Sequence, residues 1–372
     1  MRTIKFLLQK EFLQIIRNKS LMASMLIGPI IQLLILPLAA NYEVKHISLA
    51  VVDHDHSTYS QKLVSKILSS GYFISAGYSD SYNGAMRLIE LDKADLVLEI
   101  PADFEKNLVR ENEQKLLVAV NAINGMKAGL GGGYLGSIIS DFNADVRLQW
   151  IQPPRSSPMP TIDVVPSNWF NPLMNYNNFF VPGILVMLVT GGGSFLTSLN
   201  IVREKEIGTI EQLNVTPIKK YQFILAKLIP FWVLEMIVFT VGMAVAMLVY
   251  GITPVGHIYI LYCFLAVYML AILGYGLLIS TFAETQQQAM FVGFFFMMIF
   301  NLMSGLYTPI DSMPGWAKLL TYLNPVSYFV EVMRMVVLKG SGFPEIKSHL
   351  IIIAVFAVVL NIWAIVNYKK TA

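Results

Sequence analysis

Six long apolar runs constrain this chain more than any other feature of its sequence. A helix needs about 20 apolar residues to cross the hydrocarbon core of a bilayer. The six runs cover residues 21–40, 178–201, 223–250, 259–282, 289–307 and 350–368. Only 14% of the residues are charged, against about 25% in an average soluble domain. The sequence therefore predicts a polytopic α-helical membrane protein with six transmembrane helices, five of them within residues 178–372.

Residues 1–20 precede the first run and are predicted to form a helix at the membrane interface. Ile4, Leu8 and Phe12 would share one side of this helix. Lys10 and Arg17 would share another, which is the pattern of an amphipathic surface helix. The apolar run that follows is longer than the core of about 7–15 residues found in a cleaved signal peptide. We therefore expect it to be retained as the first span.

The distribution of Lys and Arg beside the spans predicts their orientation. Basic residues precede the first run, lie between the second and third, and follow the sixth, whereas residues 251–258 contain none. Both termini and residues 203–221 are therefore expected in the cytoplasm, and residues 41–177 outside it. The bias is incomplete, because residues predicted to be outside include Lys318, Arg334, Lys339 and Lys347.

Residues 41–177 change to the pattern of an extracytoplasmic α/β domain and linker between the first and second transmembrane helices. Strands are expected at residues 47–52, 72–75, 96–100 and 116–120, with helices between them and Ser57 capping the first of these. This alternation indicates a mainly parallel sheet covered by helices. One long helix is predicted for residues 125–150. Residues 152–177 are rich in Pro and Asn and predict a stiff spacer.

Two motifs in this domain have alternative chemical interpretations. Residues 53–56, Asp-His-Asp-His, are of metal-ligating types, but a turn at a strand end with a helix cap explains them more simply. Residues 131–136 match Gly-x-Gly-x-x-Gly inside a helical pattern, without the acidic residue expected further on in a dinucleotide site. Close helix packing is the simpler interpretation, and neither a metal nor a nucleotide site is predicted here.

An acidic residue interrupts the third apolar run. Glu235 lies about twelve residues into that run, which places it near mid-membrane at about 1.5 Å per residue. An isolated acid at this depth costs about 2.5–3.5 kcal/mol unless it is neutral, paired or hydrated. Two interpretations stay open: a polar point on a translocation path or subunit seam, and a protonated glutamate bonded within the bundle.

The charged segment at residues 203–221 is too short to form its own core, so it must lie against a surface. Ile207, Ile210 and Leu213 recur at three-residue steps, and Pro217 would end the helix. The alternatives are a solvated loop and a docking element for a cytoplasmic partner. Residues 285–288, Thr-Gln-Gln-Gln, predict a polar turn on the same side, either a second contact or a plain loop.

Residues 308–342 are too polar and Pro-rich to span the membrane, yet apolar enough to enter it as an outer re-entrant segment. Pro314 and Pro325 mark two helix starts. Glu331 and Arg334, three residues apart, are expected to pair on one helix face. A surface loop with two buried aromatic residues is the alternative.

Four stretches of the sequence carry a resemblance to a known family. Residues 204–217 resemble the Glu-x-Glu-x-Gly-Thr-x-Glu-x-Leu-x-x-Thr-Pro signature of ABC-2 type exporter permeases. Residues 53–57 and 100–105 are similar to the Asp-x-Asp-x-Ser and Ile-Pro-x-x-Phe-Glu steps of the drug-export-like branch, which has a large extracytoplasmic domain. Residues 304–340 resemble the Pro-x-x-x-Met-Pro, Asn-Pro, Tyr, Arg and Gly pattern that closes these permeases.

The resemblance implies a permease subunit of an ATP-driven exporter in the bacterial inner (plasma) membrane. It would move a small amphiphilic or drug-like substrate out of the cytoplasm or inner leaflet. The implied partners are two copies of an ABC ATPase subunit, a second permease subunit in a homodimer or heterodimer, a periplasmic adaptor protein and membrane lipid. ATP and Mg would be used by the ATPase, because this chain has no Gly-x-x-x-x-Gly-Lys-Ser/Thr motif. The chain itself would be neither an enzyme nor a cofactor-binding protein, and its net charge of +3 is too small to argue for nucleic acid.

The resemblance also implies roles for two sets of residues. Coupling to the ATPase is implied for Arg203, Glu204, Glu206, Gly208, Thr209, Glu211, Leu213, Thr216 and Pro217. An outer gate is implied for Pro309, Met313, Pro314, Asn324, Pro325, Tyr328 and Arg334.

Two functions from other classes compete with export. The first is a membrane-anchored sensor or binding protein that uses the extracytoplasmic α/β domain, although a sensor would carry an output domain and the predicted inner segments are short. The second is an intramembrane enzyme, which needs several polar residues at one depth. Only Glu235 is suitably placed for that.

Overall fold

The structure is a computed structural model that describes residues 2–39, 47–111, 113–123, 125–150, 169–171, 175–209 and 218–367. The chain divides into two compact units. Met1–Asn41 and Pro166–Ala372 form the helical unit, and Tyr42–Val165 form the α/β unit. Most of the predicted spacer, residues 152–177, lies outside the described ranges.

The described residues form the following elements in chain order: α1 (Arg2–Arg17), α2 (Lys19–Ala39), β1 (Ile47–Asp53), α3 (Thr58–Ser69), β2 (Phe73–Tyr78), α4 (Tyr82–Glu90), β3 (Leu96–Ile100), α5 (Phe104–Glu111), β4 (Leu117–Val120), α6 (Gly125–Trp150), α7 (Tyr176–Glu206), α8 (Lys220–Tyr250), α9 (Ile258–Phe282), α10 (Gln286–Leu302), a short 3-10 helix (Ile310–Ser312), α11 (Gly315–Thr321), α12 (Pro325–Val337) and α13 (Phe343–Asn367).

The α/β unit is built on a four-stranded sheet in the order β2-β1-β3-β4. Strand β1 pairs in parallel with β2 and β3, and β4 is antiparallel to β3. The central strands are apolar because both of their faces are covered, and Leu49, Val51 and Leu98 are fully buried. The strands begin within one residue of their expected positions, and the sheet is mainly parallel as the alternation of elements indicated.

The two motifs of the α/β unit serve its local structure. The Asp53 carboxylate accepts hydrogen bonds from the backbone of Asp55 and His56 and from the Ser60 hydroxyl. Asp55 accepts from the backbone N–H groups of Phe104 and Glu105, at the start of α5. Gly131 lies against the sheet, since a Cβ there would come within 2.9 Å of Leu96. Both motifs are thus used in caps and close packing.

Replacing Ser57 with alanine is expected to destabilise the α/β unit by about 1 kcal/mol. The Ser57 hydroxyl accepts the hydrogen bond of the Ser60 backbone N–H at 3.2 Å, which caps α3. Denaturant unfolding measured by circular dichroism on the α/β fragment or by local hydrogen exchange in the whole chain would report the loss. Ser57→Asn should retain most of the stability, because asparagine caps helices equally well. Equal losses in both variants would contradict a capping role.

Five described helices of the helical unit are long and apolar enough to cross a membrane: Leu21–Ala39, Tyr176–Glu206, Lys220–Tyr250, Ile258–Phe282 and Phe343–Asn367. The predicted run at residues 289–307 forms α10, which has 17 residues and ends at Leu302. The predicted end at residue 307 was therefore wrong by five residues. At 1.5 Å per residue the helix is about 25 Å long. The chain turns instead at Gly305, where φ is +79°. Six spans therefore remain a prediction.

The core of the helical unit is centred on α9. Tyr268 on this helix is fully buried, and its hydroxyl forms a 2.5 Å hydrogen bond with Thr190 of α7. The ring of Phe329 on α12 packs against Tyr268 and Phe264, with centroids 4.6 and 5.3 Å apart. Aromatic and aliphatic packing thus holds α7, α9 and α12 together.

Helix α1 forms where the interfacial helix was predicted, but one of its faces packs on protein. Ile15 belongs to the same buried cluster as Phe223 and Ile224 of α8. Glu11 is also buried, although sequence reasoning placed no functional residue there. The amphipathic pattern indicated a helix correctly and could not distinguish a lipid surface from a neighbouring helix.

Candidate functional site: a buried charged cluster

The charged segment predicted at residues 203–221 begins inside a long helix. Helix α7 continues past the predicted end of the second span at residue 201, and Arg203, Glu204, Lys205 and Glu206 form its last turn. Gly208 follows with φ of +76°, a left-handed conformation that glycine adopts without strain. A displacement of this turn is therefore a displacement of α7 itself.

A lysine from the next helix lies beside this last turn. Lys227 of α8 is only 1% exposed. Its Nζ donates hydrogen bonds to Glu11 Oε2 at 2.7 Å, Glu204 Oε1 at 2.7 Å and Asn200 Oδ1 at 2.8 Å. An ammonium group has three N–H donors, so all three are used. The Lys227 side chain thereby joins α1, α7 and α8.

Lys10 of α1 completes the arrangement. Its Nζ donates to Glu11 Oε1 and to Glu204 Oε1, both at 2.8 Å. Burial alone would lower the pKa of Lys10, but the hydrogen bonds that it donates to the two carboxylates, with their negative charge, outweigh burial and raise the pKa above its ordinary value. We call Lys10, Glu11, Asn200, Glu204 and Lys227 the charged cluster. Glu11, Glu204 and Lys227 are buried, whereas the Lys10 side chain is 47% exposed. The two positive and two negative charges balance, which is the condition for burying ions at tolerable energy.

The last turn of α7 is also bonded to the start of α10. The Glu206 carboxylate accepts hydrogen bonds from the Gln286 backbone N–H at 2.7 Å and from its side-chain amide. Lys205 Nζ donates to the carbonyl oxygens of Ser280 and Ala283 at the end of α9. The polar turn at residues 285–288 therefore contacts α7, in addition to any partner contact predicted for it.

The residues predicted to couple with an ATPase differ in their surroundings. Arg203 and Glu206 are exposed, as a docking surface requires. Glu204 is 4% exposed and faces the charged cluster, so it is not part of the exposed surface. Thr209 donates its hydroxyl to the Glu204 carbonyl oxygen at 3.1 Å. Glu211, Leu213, Thr216 and Pro217 lie outside the described residues.

Sequence reasoning missed three members of the charged cluster: Glu11, Asn200 and Lys227. A signal existed, because Lys227 is a basic residue within a predicted span, and such residues are rare and pair with other polar groups. Its partners could not be found from sequence, since Glu11 lies 216 positions away.

The residues predicted for the outer gate lie at helix starts or bond to backbone carbonyl oxygens. Pro314 and Asn324 are the N-caps of α11 and α12, and Pro309 precedes the 3-10 helix that ends before Met313. Asn324 Nδ2 donates to the Phe300 carbonyl oxygen at 2.8 Å. The Tyr328 hydroxyl donates to the Tyr322 carbonyl oxygen at 3.1 Å.

The expected pairing of Glu331 with Arg334 is wrong. Glu331 pairs with His349 of α13, at 3.2 Å between Oε2 and Nε2. Arg334 Nη1 donates to the Gly305 carbonyl oxygen at 3.0 Å, and its guanidinium carbon lies 3.6 Å from the centre of the Phe179 ring. Tertiary neighbours replaced the local pair, because an exposed pair three residues apart contributes only about 0.2–0.5 kcal/mol.

Glu235 lies at a cavity of about 700 Å³ in the helical unit. It is 1% exposed, and its Oε2 has no hydrogen-bond partner among the described residues. The cavity is formed by α2, α7, α8, α10 and Tyr307. The structure thus places Glu235 in a different site from the charged cluster.

These features together define a multi-span helical membrane protein with a separate α/β unit. The family model described as "ABC-2 family transporter protein" matches residues 19–366. The chain belongs to the ABC-2 transporter family, as a permease.

Known relatives extend over nearly the same length. The chain is 30% identical to the probable multidrug ABC transporter permease YbhR of Escherichia coli strain K12, over 92% of each chain. It is 29% identical to the probable multidrug ABC transporter permease YbhS of the same strain, over 91% of this chain and 89% of the relative. It is 23% identical to the inner membrane transport permease YhhJ, over 87% and 85% respectively. The resemblance drawn from residues 204–217 is therefore confirmed at the level of the family.

Proposed function

We propose that this chain is the membrane-spanning subunit of an ATP-driven exporter in the bacterial inner membrane, powered by a separate ABC ATPase. Both termini and residues 203–221 would lie in the cytoplasm, with the α/β unit on the other side. Two ATPase subunits would serve two permease subunits. The relatives named as multidrug permeases support a small amphiphilic or drug-like cargo, moved from the cytoplasm or inner leaflet outward.

The observation that carries this proposal is the unbroken helix from Tyr176 to Glu206, bonded at its charged end to four neighbouring helices, α1, α8, α9 and α10. Because the α-helix is stiff along its axis, a push on residues 203–221 would move the whole of α7. The hydrogen bonds of the charged cluster would make α1 and α8 move with α7. The bonds between Glu206 and Gln286 would make α10 move with it as well. ATP binding in the partner would supply the push.

The opposite end of the helical unit would open in response. Asn324 bonds the start of α12 to α10 through the Phe300 carbonyl oxygen, and Arg334 bonds α12 to the segment that follows α10 through the Gly305 carbonyl oxygen. Exchanging these few bonds would let the residues between α10 and α12 move, while α12 itself stays packed in the apolar core through Phe329. The α/β unit would then meet a periplasmic adaptor, as the drug-export-like resemblance implies.

Replacing Glu211 with lysine is expected to abolish recovery of a P-loop ATPase with the tagged chain in a detergent pull-down. Charge reversal in a docking segment puts like charges together, which costs several kcal/mol at an interface. Mass spectrometry and ATP hydrolysis of the eluate measure the outcome. The matched control is Glu345→Lys, an exposed acid at the start of α13, which should leave recovery unchanged.

Two results would contradict the docking role. Undiminished recovery with Glu211→Lys would exclude residues 203–221 as the main contact. Absence of any ATPase from the wild-type eluate would favour the membrane-anchored binding protein considered as the alternative.

A further inference from the structure

The cavity beside Glu235 has the size and lining of a small-molecule site. Its volume of about 700 Å³ lies within the range of about 300–1,000 Å³ typical of such sites. Most lining side chains are apolar, among them Met25, Ile184 and Phe294. The polar groups are few, chiefly Gln32, Glu235 and Asn301. Apolar walls with a few placed polar groups are what an amphiphile needs.

The Glu235 carboxylate is left without a positive partner. No Lys or Arg is among the residues that line the cavity in the described part of the chain. Glu11 and Glu204, the other buried acids of the helical unit, both contact Lys227. Buried polar atoms are nearly always hydrogen-bonded, so a buried carboxylate oxygen without a partner calls for an explanation.

The neighbouring helix makes room for this carboxylate. A Cβ at Gly192 of α7 would lie 2.2 Å from Glu235 Oε1, closer than any real contact. Only glycine therefore allows Glu235 its present position against α7. The cavity also contains a second unpartnered acceptor, Asn301 Oδ1, which is buried without a hydrogen-bond partner among the described residues.

We propose that this cavity binds an organic cation with an apolar body, whose positive centre pairs with the Glu235 carboxylate. Asn301 Oδ1 supplies a further acceptor, and the apolar walls contact the body. This inference rests on the proposed export function and deepens it by naming the class of cargo. An acid buried without a counterion is unfavourable in a low-dielectric region, and a bound cation removes that penalty.

Inorganic cations and anions fit the cavity less well. Calcium takes about 6–8 oxygen ligands, and the described lining offers few oxygen-bearing side chains for them. A bare ion would also gain nothing from the apolar walls. An anion would be repelled by Glu235, with no lysine or arginine in the lining to offset the repulsion.

The cavity is open on the side where α2 and α10 face away from the bundle. Gln32 and Ser24 of α2 are exposed, and Phe294 of α10 is 63% exposed. An amphiphile dissolved in the membrane could enter here without crossing the packed core around α9. Access from the side is consistent with cargo taken from the inner leaflet.

The test compares two probes of nearly equal size and opposite charge, tetraphenylphosphonium and tetraphenylborate. Binding of each to the purified full chain in lipid nanodiscs, without any ATPase, is measured by equilibrium dialysis. Tetraphenylphosphonium should bind at least about tenfold more tightly than to protein-free nanodiscs or to Glu235→Gln, a ratio that corresponds to about 1.4 kcal/mol. The control variant Glu345→Gln should bind it like the wild type.

The outcomes separate cleanly. Equal binding of the two probes, undiminished cation binding by Glu235→Gln, or no binding of the cation would each overturn the proposal. If Glu235→Gln fails to fold, the comparison of the two probes on the wild-type protein still tests the proposal. Because the assay contains no ATPase, its result is independent of the pull-down, and either proposal can fail while the other stands.

Discussion

Lys227→Met is expected to destabilise the helical unit by about 3–5 kcal/mol, the cost of removing one partner from a buried ion pair. Glu11 Oε2 and Asn200 Oδ1 would lose their bond to Nζ, and Glu204 would keep only Lys10. One uncompensated negative charge would remain buried. Thermal unfolding in detergent should show a melting temperature lower by about 10 °C or more, and any ATPase-dependent transport should fall with it.

A charge-balanced double variant distinguishes electrostatics from packing. Lys227→Met combined with Glu11→Gln removes one charge of each sign, so it should recover a large part of the lost stability. Lys347→Met, at an exposed position of α13, is the matched control and should unfold like the wild type. A double variant no more stable than the single one would show that the balance of charge is unimportant.

Gly276→Ala is expected to separate α7 from α9 and to cost about 1–3 kcal/mol, the usual range for overpacking. A Cβ at Gly276 would lie 2.6 Å from the Ser194 carbonyl oxygen and 3.2 Å from its Cα. The clash is with backbone, so no side chain can rotate to relieve it. Small residues at such crossings are what allow membrane helices to approach closely.

The effect of Gly276→Ala is measured by the same thermal unfolding in detergent. Gly315→Ala is the matched control in the same unit, because a Cβ there meets no atom within 4 Å. Melting temperatures that fall equally in the two variants would indicate a general effect of removing glycine. A Gly276→Ala protein as stable as the wild type would mean that α7 and α9 can shift apart at no cost.

The membrane-spanning helices differ in how much of their surface the rest of the chain covers. The apolar spans of α7 and α9 are 72% buried, whereas those of α2 and α13 are 17% buried. The faces of α2 and α13 that the chain leaves exposed are available for lipid or for a second permease subunit. The proposed cation site lies where the mostly exposed helix α2, together with α10, meets the mostly buried helix α7 and Glu235 of α8.

Local patterns predicted the α/β unit closely. Its central strands are apolar, its helices begin at capping residues such as Ser57, and α6 was expected over residues 125–150 and observed there. These features depend on neighbours within a few positions along the chain. The same reasoning placed α1 correctly as a helix and misjudged what covers it, because Ile15 belongs to a buried cluster whose other members include Phe223 and Ile224, more than 200 positions away.

Single residues of the candidate sites could be predicted from the sequence, but their tertiary contacts could not. Glu235 could be singled out from sequence, because an acid in an apolar run is costly wherever it lies. The cavity beside it and its contact with Gly192 could not be predicted, because both exist only when α7 packs against α8. Glu204 was singled out as a coupling residue by the family resemblance, but its hydrogen bond with Lys227 of α8 could not be read from the sequence.

The sequence alone determined that this chain is a multi-span ABC-2 permease with an α/β insertion, since apolar length, strand alternation and the motif at residues 204–217 are all readable along the chain. Only the tertiary structure decided which charges meet. Lys10, Glu11, Glu204 and Lys227 come from three helices. Burying Glu11, Glu204 and Lys227 is tolerable only when opposite charges lie within hydrogen-bonding distance. That proximity is a property of how helices pack, which no single segment contains.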